Sequence, residues 1–174
     1  MKLKSLVLGL GCCALPRLAV SDALLAEYLA REQQKVGVEM FTSENYKVGL
    51  VRHIVLFKYK KSVTLAERNE IKLRFLALKT ESLMNGHRYI KSIEAGDQVS
   101  GEGLSRGVVH VFVVTFLSEG SRNYYVGDPL VKDPLYYDAA HADFKKFVGR
   151  FLSEVTVVDY RPGDSKEQQV LSAN

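Results

Sequence analysis

The sequence predicts an α+β fold in which two helices cover one face of a β-sheet. Two runs, residues 51–59 and 106–116, are rich in β-branched and aromatic side chains, which favour strands. Side chains alternate between the two faces of a strand. In each run the side chains on both faces are apolar, so both faces must be covered by other parts of the protein. The elements follow in the order strand, helix, strand, strand, helix, strand. This is the split β-α-β pattern of a ferredoxin-like sandwich.

Length and charge narrow the classes of protein. With 174 residues, 47% of them hydrophobic, the chain suits one domain with a full core plus an extension. The net charge is +4, and the basic residues are scattered among acidic ones, which is typical of a solvated surface. Residues 106–107 match the opening of an RNA-recognition signature, but Val108, His110 and Val113 stand where that signature needs aromatic side chains. We therefore expect no nucleic-acid partner.

The first 21 residues have the layout of a signal peptide. Lys2 and Lys4 precede an apolar stretch over residues 6–15, and Ala19 and Ser21 offer small side chains at the two positions that a signal peptidase inspects. The stretch is too short to span a bilayer, so we expect an exported protein, periplasmic or secreted, with no membrane span. The alternative is a short N-terminal helix or an overlong gene start on a cytoplasmic protein.

The rest of the chain divides into an extension, one domain and a tail. Residues 22–49 are predicted as a helical extension and linker, because an apolar helical stripe gives way to polar residues. Residues 50–162 form the folded domain, and the polar residues 163–174 are predicted as a flexible tail. Within the domain we predict strands at 51–59, 89–99, 106–116 and 155–160, a helix at 64–83, and a helical region at 120–153 that is interrupted by Asp128-Pro129 and Asp133-Pro134.

One face of the predicted sheet lacks a helical cover. Its side chains are all apolar: Ile54, Leu56, Val109, Val111 and Val113. An apolar sheet face of that size normally packs against a partner. We therefore predict a homodimer in which two sheets pack face to face.

Three histidines are predicted to point into the core. His53 and His110 each stand in the apolar row of a central strand. His141 begins the apolar stripe of the last helix, which continues through Phe144. That helix starts near the start of the first strand, so His141 should lie nearer His53 than His110. A neutral imidazole can take a proton near pH 7, and a second one can hold a carbonyl oxygen.

Other interpretations of these residues stay open. A histidine in an apolar row is commonly a core residue whose nitrogens bond to backbone or water. A metal site could use His53 and His141. Adding Asp138 or Asp143 gives no compact ligand spacing, so we expect no metal. The tyrosine pairs at 124–125 and 136–137 could simply fill the gap between helix and sheet.

Four segments carry a family resemblance. They are the run at residues 52–58, the loop at 103–107 leading to His110, the Asp-Pro segment that ends at His141, and the closing residues 157–160. Together they resemble the stress-responsive dimeric α/β-barrel domain family over about residues 50–160. The resemblance implies a dimeric α/β barrel with a pocket between sheet and helices, and implies little about activity. A plant member of that family cyclises a linear polyketide by an aldol condensation, using a histidine and a tyrosine.

The motif of that cyclase, Tyr-x-x-His-Pro-x-His, can be placed on this chain. His141 matches its final histidine and Tyr125 its tyrosine, while Asp128 stands in the place of its first histidine. An extra stretch at about residues 130–139 separates the two ends. The second Asp-Pro pair in that stretch allows another alignment, in which the tyrosine is Tyr136 or Tyr137.

The resemblance and the apolar stripe together predict a pocket for a small hydrophobic ligand, such as a carbonyl compound. Its predicted contacts are His53, His110, Tyr124, Tyr136 and Phe144. If the protein is an enzyme, a cyclase or lyase, His141 is the general base, His53 orients it or the substrate, and Tyr125 polarises a carbonyl. This chemistry needs no dissociable cofactor. The competing interpretation is a non-catalytic, stress-protective structural dimer with a filled core, and an open pocket around His141 favours the ligand-binding one.

Overall fold

The predicted α+β architecture is confirmed by the computed structural model, which describes residues 17–163. Four strands form one antiparallel sheet in the spatial order β2-β3-β1-β4. This is the strand order of a ferredoxin-like fold. The strands are β1 (Val48–Tyr59), β2 (Ser92–Asp97), β3 (His110–Ser118) and β4 (Leu152–Tyr160).

Among the described residues, five helices accompany the sheet. They are α1 (Arg17–Val36), α2 (Val38–Phe41), α3 (Leu65–Glu81), α4 (Glu119–Val126) and α5 (Ala139–Gly149), with one 3-10 turn at Pro134–Tyr136. Within residues 17–163, none of these helices combines the length and the apolar character that crossing a membrane requires.

The core lies between the sheet and helices α3 and α5. Alternation along β1 and β3 turns one row of side chains towards the helices, and these are fully or almost fully buried: Val55, Phe57, Phe112, Val114 and Phe116. The helices cover them with Ile71, Phe75, Leu78, Phe144 and Val148. Helix α3 begins where predicted, because Thr64 and Glu67 form a reciprocal capping box.

Several predicted element boundaries differ from the structure: β1 and β4 each begin three residues earlier than predicted, and β2 covers only Ser92–Asp97 of the expected 89–99. The strand expected from residue 106 begins at His110, because Arg106 and Gly107 have positive φ angles of 53° and 86° and turn the chain before it pairs. The helical region expected over 120–153 divides into α4, the 3-10 turn and α5. Helix α4 ends at Val126, because the next residue, Gly127, has a φ of 59° and Pro129 follows two residues later.

The segment before β1 has a small core of its own. Leu29 of α1, Phe41 of α2 and Tyr46 are buried together with Val131 from the loop after α4. The backbone also pairs across this contact, because the N–H of Gly120 donates to Tyr46 O at 3.1 Å. The apolar stretch of the predicted signal peptide, residues 6–15, and all but the first residue of the predicted tail lie outside the described residues.

Candidate functional site

A cavity of about 470 Å³ lies between the helix-facing side of the sheet and the helices. Most of its lining is apolar: Leu25, Leu29, Val55, Phe57, Phe75, Val126, Pro129, Leu130, Phe144, Val148, Leu152, Val155 and Val157. Polar and charged side chains also line it: His53, Arg122, Asp128, His141, Lys145 and Asp159. An apolar cavity with a few convergent polar groups is the usual form of a small-molecule site.

His53 is held by a carboxylate on the neighbouring strand. Antiparallel pairing of β1 with β4 sets His53 opposite Asp159. The Nδ1–H of the imidazole donates to Asp159 Oδ1 at 2.6 Å. The carboxylate thereby fixes the tautomer and orientation of a ring that is almost fully buried.

The other oxygen of Asp159 accepts a hydrogen bond from the guanidinium of Arg122, which is itself buried. Partial burial raises the pKa of Asp159, but the hydrogen bond from His53 and the charge of Arg122 outweigh it, so the pKa is lowered. Arg122 is in turn held by Asn123, whose Oδ1 accepts from Nε at 3.0 Å. The carboxylate of Asp159 therefore stays ionised beside the cavity at neutral pH.

His141 lies in the first turn of α5. The side chain of Asp138 accepts the backbone N–H of His141 at 3.0 Å and also the hydroxyl of Tyr89, so the start of the helix is held firmly. The Nδ1–H of His141 donates to the carbonyl of Tyr125 at 2.6 Å. Because a carbonyl only accepts, Nδ1 carries the proton and Nε2 keeps its lone pair. Burial lowers the pKa of His141 to about 3, so the ring is neutral near pH 7.

Tyr125 contacts both cavity histidines through its ring. It stacks on His141 with centroids 3.7 Å apart and meets His53 edge-on at 5.6 Å. Its hydroxyl is buried without a hydrogen-bond partner among the described residues, and burial raises its pKa well above the usual value. Tyr125 does not line the cavity. The geometry therefore gives it a packing contact with the histidines and does not bring its hydroxyl to the expected position on a carbonyl.

The structure brings together part of the predicted site. His53, His141 and Phe144 line one cavity, as the periodicity of β1 and α5 indicated. His110 does not line this cavity. It lies near the far end of β1, where its Nδ1 is hydrogen-bonded to the hydroxyl of Tyr59 at 2.8 Å. Burial lowers the pKa of His110, and its other nitrogen lies 3.2 Å from Asp97.

The two other predicted ligand contacts also lie outside the cavity lining. The hydroxyl of Tyr124 donates to Leu83 O at 3.1 Å, and the ring packs edge-on against Tyr89. Tyr136 is in the 3-10 turn and packs against the cluster around Phe41. Both side chains pack against neighbouring elements and line a separate depression of about 340 Å³.

Several cavity residues were not predicted from the sequence, namely Arg122, Lys145 and Asp159. Arg122 and Asp159 are brought to His53 by tertiary structure, although the antiparallel pairing of β1 with β4 could have suggested Asp159. Lys145 stands four residues after His141 on the same helix face, which is a usable signal. Its Nζ donates to Val126 O at 2.8 Å and to Asp128 O at 3.1 Å, and burial lowers its pKa.

Within the part of the chain that the structure describes, no group of three or more histidine, cysteine, aspartate or glutamate side chains is arranged to hold a metal ion. His53 already uses one nitrogen for Asp159, and His141 uses one for the backbone. These polar groups of the cavity are therefore held by hydrogen bonds to a neighbouring side chain or to the backbone.

Comparisons with known proteins agree with the fold. The profile of the stress responsive A/B barrel domain matches residues 51–162. A stress-response A/B barrel domain-containing protein of Arabidopsis thaliana is 30% identical over 114 residues, which make up 66% of this chain and 91% of that protein. A crystal structure of an Arabidopsis thaliana protein superposes with a TM-score of 0.52 at 26% identity, covering 67% of this chain and 98% of that one. A hydroxynitrile lyase from Passiflora edulis shares the fold, with a TM-score of 0.53 at 18% identity, covering 67% and 96%.

Proposed function

Because the chain belongs to the stress responsive A/B barrel domain family, we propose that it forms a homodimer and binds a small hydrophobic carbonyl compound in the cavity between sheet and helices. The observation that carries the proposal is the cavity, which has about 470 Å³ of space, mainly apolar walls and two oriented imidazoles. Sites for small molecules commonly have roughly 300–1,000 Å³. A stress-protective dimer with a filled core has no need of such a space.

The polar groups of the cavity suit a carbonyl ligand. A carbonyl oxygen needs a hydrogen-bond donor, and Lys145 has three N–H groups, of which two go to backbone carbonyls. The apolar side chains that make up most of the lining can contact the hydrocarbon part of the ligand. A ketone with an alkyl chain therefore matches both parts of the lining.

Calorimetric titration with methyl nonyl ketone tests this function. We expect the wild-type protein to bind the ketone, and His141→Ala to weaken binding about tenfold because part of the cavity wall is lost. His110→Ala is the matched control, because it removes a buried histidine that does not line the cavity. It should leave the affinity unchanged.

Thermal melts of the same proteins, with and without the ketone, distinguish ligand binding from packing. Equal ligand-induced shifts in wild type and His141→Ala, together with a large drop in the melting temperature of the free variant, would make His141 a packing residue. Absence of binding by the wild type to methyl nonyl ketone, linear ketides and fatty acids would reject the function.

Proton transfer next to a carbonyl is a second candidate, and the His53–Asp159 pair favours it. A carboxylate on Nδ1–H stabilises the imidazolium that forms when Nε2 takes a proton. His141 lacks such a partner, and its pKa of about 3 makes it a weak base. The geometry therefore favours His53 as the general base, in place of the role expected for His141, and the Lys145 ammonium as the donor to the carbonyl oxygen.

Deuterium exchange at the carbon next to the carbonyl of methyl nonyl ketone tests this candidate by proton NMR. We expect the wild type to accelerate exchange and Asp159→Asn to slow it by at least about tenfold, because the amide no longer stabilises the imidazolium. The ketone affinity measured by calorimetry should change much less than the exchange rate. Exchange at the uncatalysed rate with bound ketone would contradict the catalytic candidate and leave ligand binding in place.

Export is also proposed, on the layout of residues 1–21. N-terminal sequencing of the protein recovered from its native host should find a mature chain that begins close to residue 22. Recovery of the chain with Met1 intact would contradict export.

A further inference from the structure

Helix α1 contributes to the lining of the cavity, although it precedes the matched family domain. Two of its side chains, Leu25 and Leu29, line the cavity together with residues of the sheet and of α5. The domain match begins only at residue 51. The cavity wall is therefore completed by a part of the chain that the family profile does not include.

The position of α1 is held by specific contacts. Leu29 is 8% exposed and packs with Phe41 and Tyr46. Glu32 accepts hydrogen bonds from Lys47 Nζ at 2.7 Å and from the Tyr46 hydroxyl at 2.9 Å. These two bonds lower the pKa of Glu32 and keep its carboxylate charged against Lys47. The helix is thus anchored one turn after the residues that line the cavity.

Leu25 and Leu29 differ in their surroundings. Leu29 is part of the small core, whereas Leu25 is 58% exposed and so marks where the cavity reaches the surface. A bound hydrocarbon chain would cover this exposed leucine and remove apolar surface of both molecules from water. Leu25 therefore loses the most exposed apolar surface when the ligand is long enough to reach it.

We propose that α1 is a specificity element, in which Leu25 and Leu29 contact the apolar part of the ligand and select carbonyl compounds with long alkyl chains over short ones. This inference rests on the proposed ligand-binding function. It assigns a role in ligand selection to the segment before the domain, and in particular to Leu25, the more exposed of its two cavity-lining leucines.

A pair of neighbouring leucines on α1 supplies a matched test. Leu24 is 61% exposed and does not line the cavity, whereas Leu25 has nearly the same exposure and does. Leu25→Gln should weaken the binding of methyl nonyl ketone about fivefold, because an apolar contact is replaced by a polar one. The binding of methyl ethyl ketone should not change. Leu24→Gln should leave both affinities as in the wild type.

The outcomes separate the inference from the proposed function. Binding of methyl nonyl ketone that is equal in Leu25→Gln and Leu24→Gln, and still weakened by His141→Ala, overturns the role of α1 while the proposed function stands. Failure of the wild type to bind the long ketone overturns both. Because Leu25 is exposed, its variant should fold, and equal melting temperatures of the two ligand-free variants verify this.

Discussion

At the scale of single residues, the two cavity histidines differ in how their second nitrogen is held. The Nδ1–H of His53 donates to a carboxylate, whereas that of His141 donates to a backbone carbonyl. A carboxylate stabilises a protonated ring and a neutral carbonyl does so much less. His141 therefore stays neutral in the folded protein even in moderately acidic solution. A protonated His141 of the unfolded chain must release its proton when the chain folds.

This proton release makes the free energy of unfolding depend on pH. The pKa of His141 is lowered from 6.5 to about 3 by burial, so below pH 6.5 the unfolded chain binds a proton that the folded chain does not. Above pH 6.5 His141 does not reduce the free energy of unfolding. Its contribution lowers that free energy as the pH falls from 6.5 towards 3. The loss between pH 7 and pH 4 should be about 3 kcal/mol from this residue.

Urea unfolding at a series of pH values measures this loss, with His141→Gln as the test variant. Glutamine can donate to the Tyr125 carbonyl and does not titrate, so the decline between pH 6.5 and 4 should be shallower in the variant. His87→Gln is the control, because His87 is exposed and its hydrogen bond with Glu44 raises its pKa. An unchanged slope in His141→Gln would show that another group causes the acid sensitivity.

A site residue could be predicted from the sequence where its direction is set within one element, and not where it depends on contacts between distant elements. The inward direction of His53, His141 and Phe144 depends on periodicity within one element, and the sequence predicts it correctly. The contacts of Arg122 with Asp159 join elements 37 residues apart in the chain and need the folded sheet. His110 satisfies the same periodicity as His53, but strand pairing puts it opposite Phe57 rather than at the end near α5.

At the scale of elements, long apolar runs and caps were predictable and irregular connections were not. Strand β1 and helix α3 have strong periodicity, and Thr64 supplies a recognisable start. The start of β3 depends on the turn at Arg106 and Gly107, which a β-branched composition does not encode. The docking of the extension on α4 depends on one close backbone approach at Gly120, which no periodic pattern reports.

Substitution of this glycine should loosen the extension. A Cβ at Gly120 would lie 1.8 Å from Ser43 O, so the segment before β1 must move away from α4. We expect Gly120→Ala to lower the free energy of unfolding by about 2–3 kcal/mol. It should also make α1 more sensitive to trypsin, which can cut after Arg31 and Lys35.

Gly96→Ala is the matched control, because a Cβ there meets no atom within 4 Å and its φ is not positive. Chemical denaturation and limited proteolysis of both variants supply the measurements. Equal stability and equal cleavage of α1 in the two variants would show that the close approach at Gly120 does not hold the extension.

At the scale of the whole molecule, the proposed homodimer depends on the sheet face opposite the helices. Half-buried apolar side chains run across it: Ile54 and Leu56 of β1, and Val111 and Val113 of β3. Val109, which was expected on this face, precedes β3 and packs against the core on the helix side. Loop residues Val99 and Leu104 stand beside it, and Val99 is 91% exposed. A depression of about 630 Å³ on this face is lined by both the sheet and the loop. A second sheet would cover these groups, as expected for a dimeric α/β barrel.

The dimer is tested by a charge at the centre of this face. Val111 lies on β3 and lines the depression, so Val111→Asp would bury an unpaired carboxylate against the partner sheet. The cost should be several kcal/mol, enough to dissociate the dimer. Leu73→Asp is the control, because Leu73 is 68% exposed on α3, away from this face. Light scattering at micromolar concentration should find a dimer for the wild type and for Leu73→Asp, and a monomer or an unfolded chain for Val111→Asp. A monomeric wild type would refute the homodimer.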